Sequence, residues 1–150
     1  MERAAELERR VTEAAASVGL EFHLDRIERT PNTLDAHRLI WLAERQGKQN
    51  ECVERLFQAY FTEGRDIGDP GVLADCAESA GVQGALGFLN SDTATAEILQ
   101  IDRAVRKAGV NGVPSFFLNG YGLFSGAVPA EQMAEALRRA AAILRDREAA

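Results

Sequence analysis

Thiols and imidazoles are the side chains that move electrons or protons near neutral pH, and this sequence holds two of each: Cys52, Cys76, His23 and His37. The cysteines stand too far apart for a C-x-x-C redox pair and are too few for a disulfide scaffold or a structural zinc site. They could pair across two helices only if their Cα atoms came within about 7 Å. The favoured reading is a pair of inert thiols that behave as small buried hydrophobes. Neither histidine has an acid, a cysteine or the other histidine at ligand spacing, so no metal site is expected. His23 alternates outward in an extended stretch and reads as a surface residue. His37 lies one turn into an apolar helix and reads as packed against a sheet with one ring nitrogen bonded.

A further residue is chemical in a different sense. In GVNGVPSFFLNG, residues 109–120, Pro114 stands at the mouth of an apolar run that reads as a strand. Proline has no backbone N–H and a fixed φ, so it opens a strand or turns a corner but does not sit mid-ladder. Two readings stay open from the residues. A trans proline would merely start an edge strand, whereas a cis Val113–Pro114 bond would expose the backbone groups of Val113 to an extended chain.

These residues must be positioned by the elements around them. Ala4, Leu7, Val11, Ala14 and Val18 share one face of a helix over residues 2–18, stopped by Gly19. Leu20, Phe22 and Leu24 then alternate with polar neighbours, which predicts a strand over 20–27 with one face buried. Asn32 with Asp35 makes a capping-box-like start to a deeply buried helix ending at Gly47. A second helix, about 50–63, carries Val53, Leu56, Phe57, Tyr60 and Phe61 as its core stripe, and with Trp41 these aromatics read as packing rather than a substrate groove. Asp69 as N-cap and Pro70 at the first helical position open a third helix through Leu73, Cys76 and Ala80. GVQGALGFLNSD reads as a glycine-punctuated connection. A fourth helix follows with Ala94, Ile98, Ile101 and Val105 inward. SFFLN and GLFSG form a β-hairpin, and Pro129 starts a last helix with Met133, Leu137, Ala140 and Leu144 inward, its basic residues Arg138, Arg139, Arg145 and Arg147 complementing the dipole.

With 150 residues and 46% hydrophobic content the chain can bury the core of one domain. Its net charge of -6 argues against a nucleic-acid partner, because phosphate binding needs a surplus of Lys and Arg. The first residues, MERAAELERRVTEAAASVG, carry charges throughout and form neither a secretory signal nor a membrane span, so a cytoplasmic protein without a membrane partner is expected.

Three motifs in this order carry a resemblance: DRIERTPNTLDAHRLIWLAERQG, EGRDIGDPGVLADCAESAGV and AGVNGVPSFFLNGYGLFSGAVPAEQMAEAL. Together they resemble the DsbA-like thioredoxin-fold family, in its FrnE-like branch, over roughly residues 15–145. The resemblance implies an α/β, partial thioredoxin-like fold of order α-β-α-α-α-α-β-β-α, with an all-helical insertion at about 32–90. It implies protein thiol-disulfide oxidoreductase chemistry, with a cis Pro114 whose loop faces a redox dithiol. Family members start with a β-strand and a C-x-x-C at a helix N-terminus, where the helix dipole and the neighbouring thiol lower the nucleophile's pKa. The sequence contains no C-x-x-C. The expectation is therefore a single domain, 1–150, lacking that first βα unit, with no catalytic residue of its own and weak or no activity alone.

The substrate-binding candidates are Val113, Pro114, Asn32 and His37, the last two because related glutathione-using isomerases and transferases line a pocket with a comparable region. The partner would be a peptide thiol or disulfide, or glutathione, and no cofactor is expected. A missing strand between residues 20–27 and the hairpin would leave unpaired backbone, to be filled by a rebuilt sheet, a homodimer or a partner's strand. The alternatives to the oxidoreductase reading are a non-catalytic dimerisation or binding module and a glutathione-dependent isomerase or transferase.

Overall fold

Why four short helices with so many alanines hold together is visible in the first of the two compact units into which the chain divides, Met1–Gln100 and Ile101–Ala150. The computed structural model describes residues 2–110 and 112–148. In the first unit α2 (Leu34–Arg45), α3 (Gln49–Phe57), α4 (Pro70–Ser79) and α5 (Ala85–Leu89) surround one cluster. Leu39, Leu73, Cys52 and Cys76 are its fully buried larger side chains, and Ala36, Ala43, Ala59 and Ala77 let the helix backbones approach closely. Each buried leucine contributes about 1.5–3 kcal/mol relative to exposure.

The ends of these helices are set by local chemistry. Asp69 accepts from the N–H groups of Gly71 at 2.8 Å and Val72 at 3.0 Å, and Pro70 needs no acceptor, so α4 starts where expected. Gly47 sits at φ +66 and lets Lys48 N–H reach back to the Ala43 carbonyl at 2.8 Å, closing α2.

The strand expected over 20–27 is not formed. A strand needs a ladder partner, and the described residues supply none here. The segment instead takes one long-range backbone bond, His23 N–H to Phe61 O at 2.7 Å, stacks Phe22 on Phe61 at 4.8 Å, and tightens into a 3₁₀ turn at Leu24–Arg26. Leu20 is exposed.

The expected core stripe of the second helix is also corrected. Cys52, Leu56 and Ala59 face the core, Phe57 is 56% exposed, and Tyr60 and Phe61 are half-buried. Small residues fit the close approach of α3 to its neighbours where a phenylalanine does not. Beyond Phe57 the helix widens into a π turn, Gln58–Thr62, closed by Glu63 N–H to Gln58 O at 3.0 Å, which shifts the register of the aromatics.

Outside this core the apolar faces read from the sequence are largely uncovered. Helix α1 (Glu2–Ser17) buries Ala15, while Leu7, Val11 and Val18 are exposed. The glycine-punctuated connection contains the short helix α5, opened by Gly84 at φ +71. Helix α6 (Thr95–Lys107) starts after Ala94, which itself has φ +65, and buries no residue; Ile101 and Val105, expected inward, are exposed.

The second unit contains the sheet seen among the described residues: β1 (Ser115–Leu118) antiparallel to β2 (Tyr121–Ser125). Asn119 at φ +48 and Gly120 at φ +80 make the two-residue turn whose twist matches a hairpin. Ser115 pairs with Ser125, their hydroxyls 2.6 Å apart, and Phe116 stacks on Phe124 at 4.6 Å; a bulge between Phe116 and Phe117 then puts Phe117 opposite Gly122. Helix α7 (Ala130–Glu148) packs on β2. Met133, Ala140 and Leu144 are half-buried there, but Leu137, expected inward, is exposed.

Candidate functional site

Of the four residues read as substrate-binding, Val113 and Pro114 lie in the second unit and Asn32 and His37 in the first. The Val113–Pro114 peptide bond is cis. The loop is pinned on both sides of Val113: the Ser115 hydroxyl donates to the Gly112 carbonyl at 2.6 Å, and Gly126 N–H donates to the Pro114 carbonyl at 2.8 Å. Pro114 has no N–H to offer, so Val113 keeps the open backbone N–H and C=O of the loop among the described residues, and its side chain is 89% exposed. An open amide and carbonyl on one residue can pair with an extended chain.

Asn32 is exposed and its Oδ1 accepts from Leu34 N–H at 3.1 Å, a turn that leads the backbone into α2. The expected partner, Asp35, instead accepts from Arg38 Nη1 at 2.7 Å. His37 is exposed on α2, so the sheet-packed histidine of the sequence reading is not what forms. It precedes the apolar run Leu39–Ala43, and the apolar core-facing positions of α2 are Ala36, Leu39 and Ala43. His23 is half-buried and its Nε2 lies 2.9 Å from Glu21 Oε1.

Cys52 and Cys76 are unpaired thiols, each with no exposed surface. Burial, and secondarily the neighbouring Cys76, pushes the Cys52 thiol up to about 11, and burial likewise raises Cys76. A nucleophilic cysteine is helped by the opposite shift, so burial disfavours the thiolate form of both at neutral pH. Among the described residues no group of three His, Cys, Asp or Glu comes together to hold a metal, and no helix is long and apolar enough to cross a membrane.

Two features escaped the sequence reading. Arg38 is 4% exposed, yet it looks like an ordinary polar helix position. Its guanidinium donates to Thr93 O at 2.9 Å, Phe88 O at 3.1 Å, Leu89 O and Ser91 O, with Asp35 as counter-charge and its Cζ 5.2 Å from the Phe88 ring centroid. It closes the C-terminal carbonyls of α5. The second is a cleft of about 400 Å³ in the first unit, between the 26–29 segment and the 64–69 loop. The EGRDIGD stretch, with two glycines among alternating charges, was the available signal for it.

Comparison with known proteins fits this arrangement. The uncharacterized protein YwbO of Bacillus subtilis (strain 168) is 30% identical over 107 residues, 69% of this chain and 54% of that protein. The crystal structure of a probable DsbA oxidoreductase from Streptomyces coelicolor superposes with a TM-score of 0.79 at 31% identity, covering 93% of this chain and 61% of that one. The chain thus spans between about half and three fifths of the length of these relatives. A family model described as a DSBA-like thioredoxin domain matches residues 1–138. The mostly helical chain with its small two-stranded sheet, a thioredoxin-like fold with a helical insertion, belongs to the DSBA-like thioredoxin domain family.

Proposed function

We propose that this chain is a FrnE-like, DsbA-family thiol-disulfide oxidoreductase domain whose Val113–Pro114 loop binds the backbone of a peptide thiol or disulfide. The observation that carries the reading is the open backbone of Val113 between two pinned neighbours. Asn32 and His37, both exposed, are the further substrate-binding candidates. The attacking thiolate is neither Cys52 nor Cys76, because burial holds both protonated. The chain alone is therefore weak or inactive, and insulin reduction by it should run at the uncatalysed rate. The unpaired state of both thiols fits a reducing, cytoplasmic setting.

The test is binding of a cystine-containing peptide. Val113→Pro removes the N–H that pairs with the peptide, and should weaken binding at least about tenfold, while Val113→Ala should stay within about twofold. Equal binding by Val113→Pro would refute the loop's role.

A second reading, a non-catalytic dimerisation or binding module, is favoured by one observation. Each hairpin strand has an outer edge without a partner among the described residues, and such edges recruit other strands. A glutathione titration that saturates would instead favour the isomerase or transferase reading.

A further inference from the structure

The cleft between the 26–29 segment and the 64–69 loop has walls that the sequence locks together at both ends. Gly64 has φ +70, and a Cβ placed on it would lie 2.4 Å from Arg26 Cβ and 2.8 Å from the Arg26 carbonyl. A Cβ on Gly68 would come 3.2 Å from the Asn32 carbonyl. Two glycines thus seat one segment on the other, and Arg29, donating through Nε to Asp66 at 2.7 Å, ties them in between. The walls are therefore formed before any ligand arrives.

The charges around this cleft are mostly committed. Asp66 takes Arg29 on one oxygen and Gly68 N–H on the other at 2.9 Å, and together these hold its carboxyl below its ordinary range. Asp69 is used in capping α4. Arg65 donates to Asp75 at 2.6 Å and lies 3.8 Å from Glu63. Glu28 lines the cleft and makes no hydrogen bond or ion pair among the described residues. Of the cleft's cations, Arg26 alone is uncommitted among the described residues: it is exposed, lines the cleft, and has no carboxylate or carbonyl partner for its guanidinium.

We infer that this cleft is a peptide-binding subsite in which Arg26 receives the carboxylate of an Asp or Glu side chain of a bound polypeptide. A planar guanidinium pairs with a carboxylate through two parallel hydrogen bonds. The flanking carboxylates of Glu28, Asp66 and Asp69 select the ligand's charge. They tolerate a singly charged carboxylate beside Arg26 but repel a phosphate dianion. The N–H groups of Glu28 and Arg29 have no backbone acceptor among the described residues, so the same wall can bond to the peptide's main chain. The polypeptide's identity as a thiol-disulfide substrate rests on the reading proposed above; the subsite itself does not.

The experiment uses the whole chain and fluorescein-labelled, cysteine-free peptides differing only in one Glu or Gln, followed by anisotropy. The Glu peptide should bind about tenfold more tightly than the Gln peptide, a preference that weakens with added salt. Arg26→Gln should erase the preference, and Arg26→Glu should transfer it to a Lys peptide. Both variants should keep the wild-type melting temperature, since Arg26 is exposed. Equal binding of the Glu and Gln peptides, or a preference that survives Arg26→Gln, overturns the inference. Displacement of the probe by inorganic phosphate at a lower concentration than by acetate also overturns it, by making the cleft a phosphate site. Because these peptides hold no sulfur, a negative result here leaves the Val113 test standing, and a failed Val113 test leaves this one.

Discussion

Arg38 shows how one side chain can organise a corner of the fold. It is almost fully buried, and its donors go to the carbonyls that end α5 and to the loop before α6. Arg38→Met should cost about 3–5 kcal/mol, because it strands those carbonyls and leaves Asp35 without its partner. A urea midpoint within experimental error of wild type would refute that role, and Arg38→Lys should recover only part of the loss, since an ammonium lacks the fork. The thiols give a second test. Below about pH 9 they are protonated in both folded and unfolded chains. Burial holds Cys52 protonated up to about 11 in the fold, whereas the unfolded thiol ionises near 9.0. The unfolded chain therefore binds fewer protons in that window, so the stability present below about pH 9 should fall as pH rises toward about 11. In native buffer near pH 7, iodoacetamide should modify neither thiol until urea opens the core, and rapid native alkylation would contradict their burial.

Helix ends and turns were the elements most legible in the chain, because each is decided by a few adjacent residues. Asp69, Pro70 and Gly47 act as their types require, while the hairpin turn, expected at Gly120, Tyr121 and Gly122, falls at Asn119–Gly120 because Tyr121 pairs with Leu118. Asp69→Ala should cost about 1 kcal/mol, measured as a lowered denaturation midpoint with the fold retained. The missed elements have a different cause. Alternation over 20–27 specified a strand face, but a strand forms only against a partner, and the segment settled on Phe61 and a 3₁₀ turn. Helical periodicity likewise allowed two stripes on α3, and side-chain volume chose Cys52, Leu56 and Ala59 over Phe57.

For the molecule as a whole, apolar residues left uncovered and hairpin edges without a partner among the described residues support the proposed self-association. Leu7 and Val11 lie exposed on α1, Val18 just beyond its end, and Ile101 and Val105 on α6. Sedimentation at micromolar concentration should show a dimer, and a stable monomer at all concentrations would remove that reading. The candidate site divided in the same way as the elements. The GVPSFF corner announced itself, because proline at a strand mouth is a local signal. The Arg26 cleft did not, since its two walls are far apart in the chain and meet through the Arg29–Asp66 pair and a glycine, Gly64, whose missing Cβ makes room.

From composition and motif order alone came the family, the absence of a C-x-x-C, and the loop that presents Val113. All of these depend on residue identity and local geometry. Only the folded arrangement decided which apolar residues became core, that both thiols are buried, that His37 is exposed, and that Arg26 is left without a partner among the described residues. Each of those is a matter of which surfaces meet at long range, where volume, hydrogen-bond supply and charge pairing are settled together.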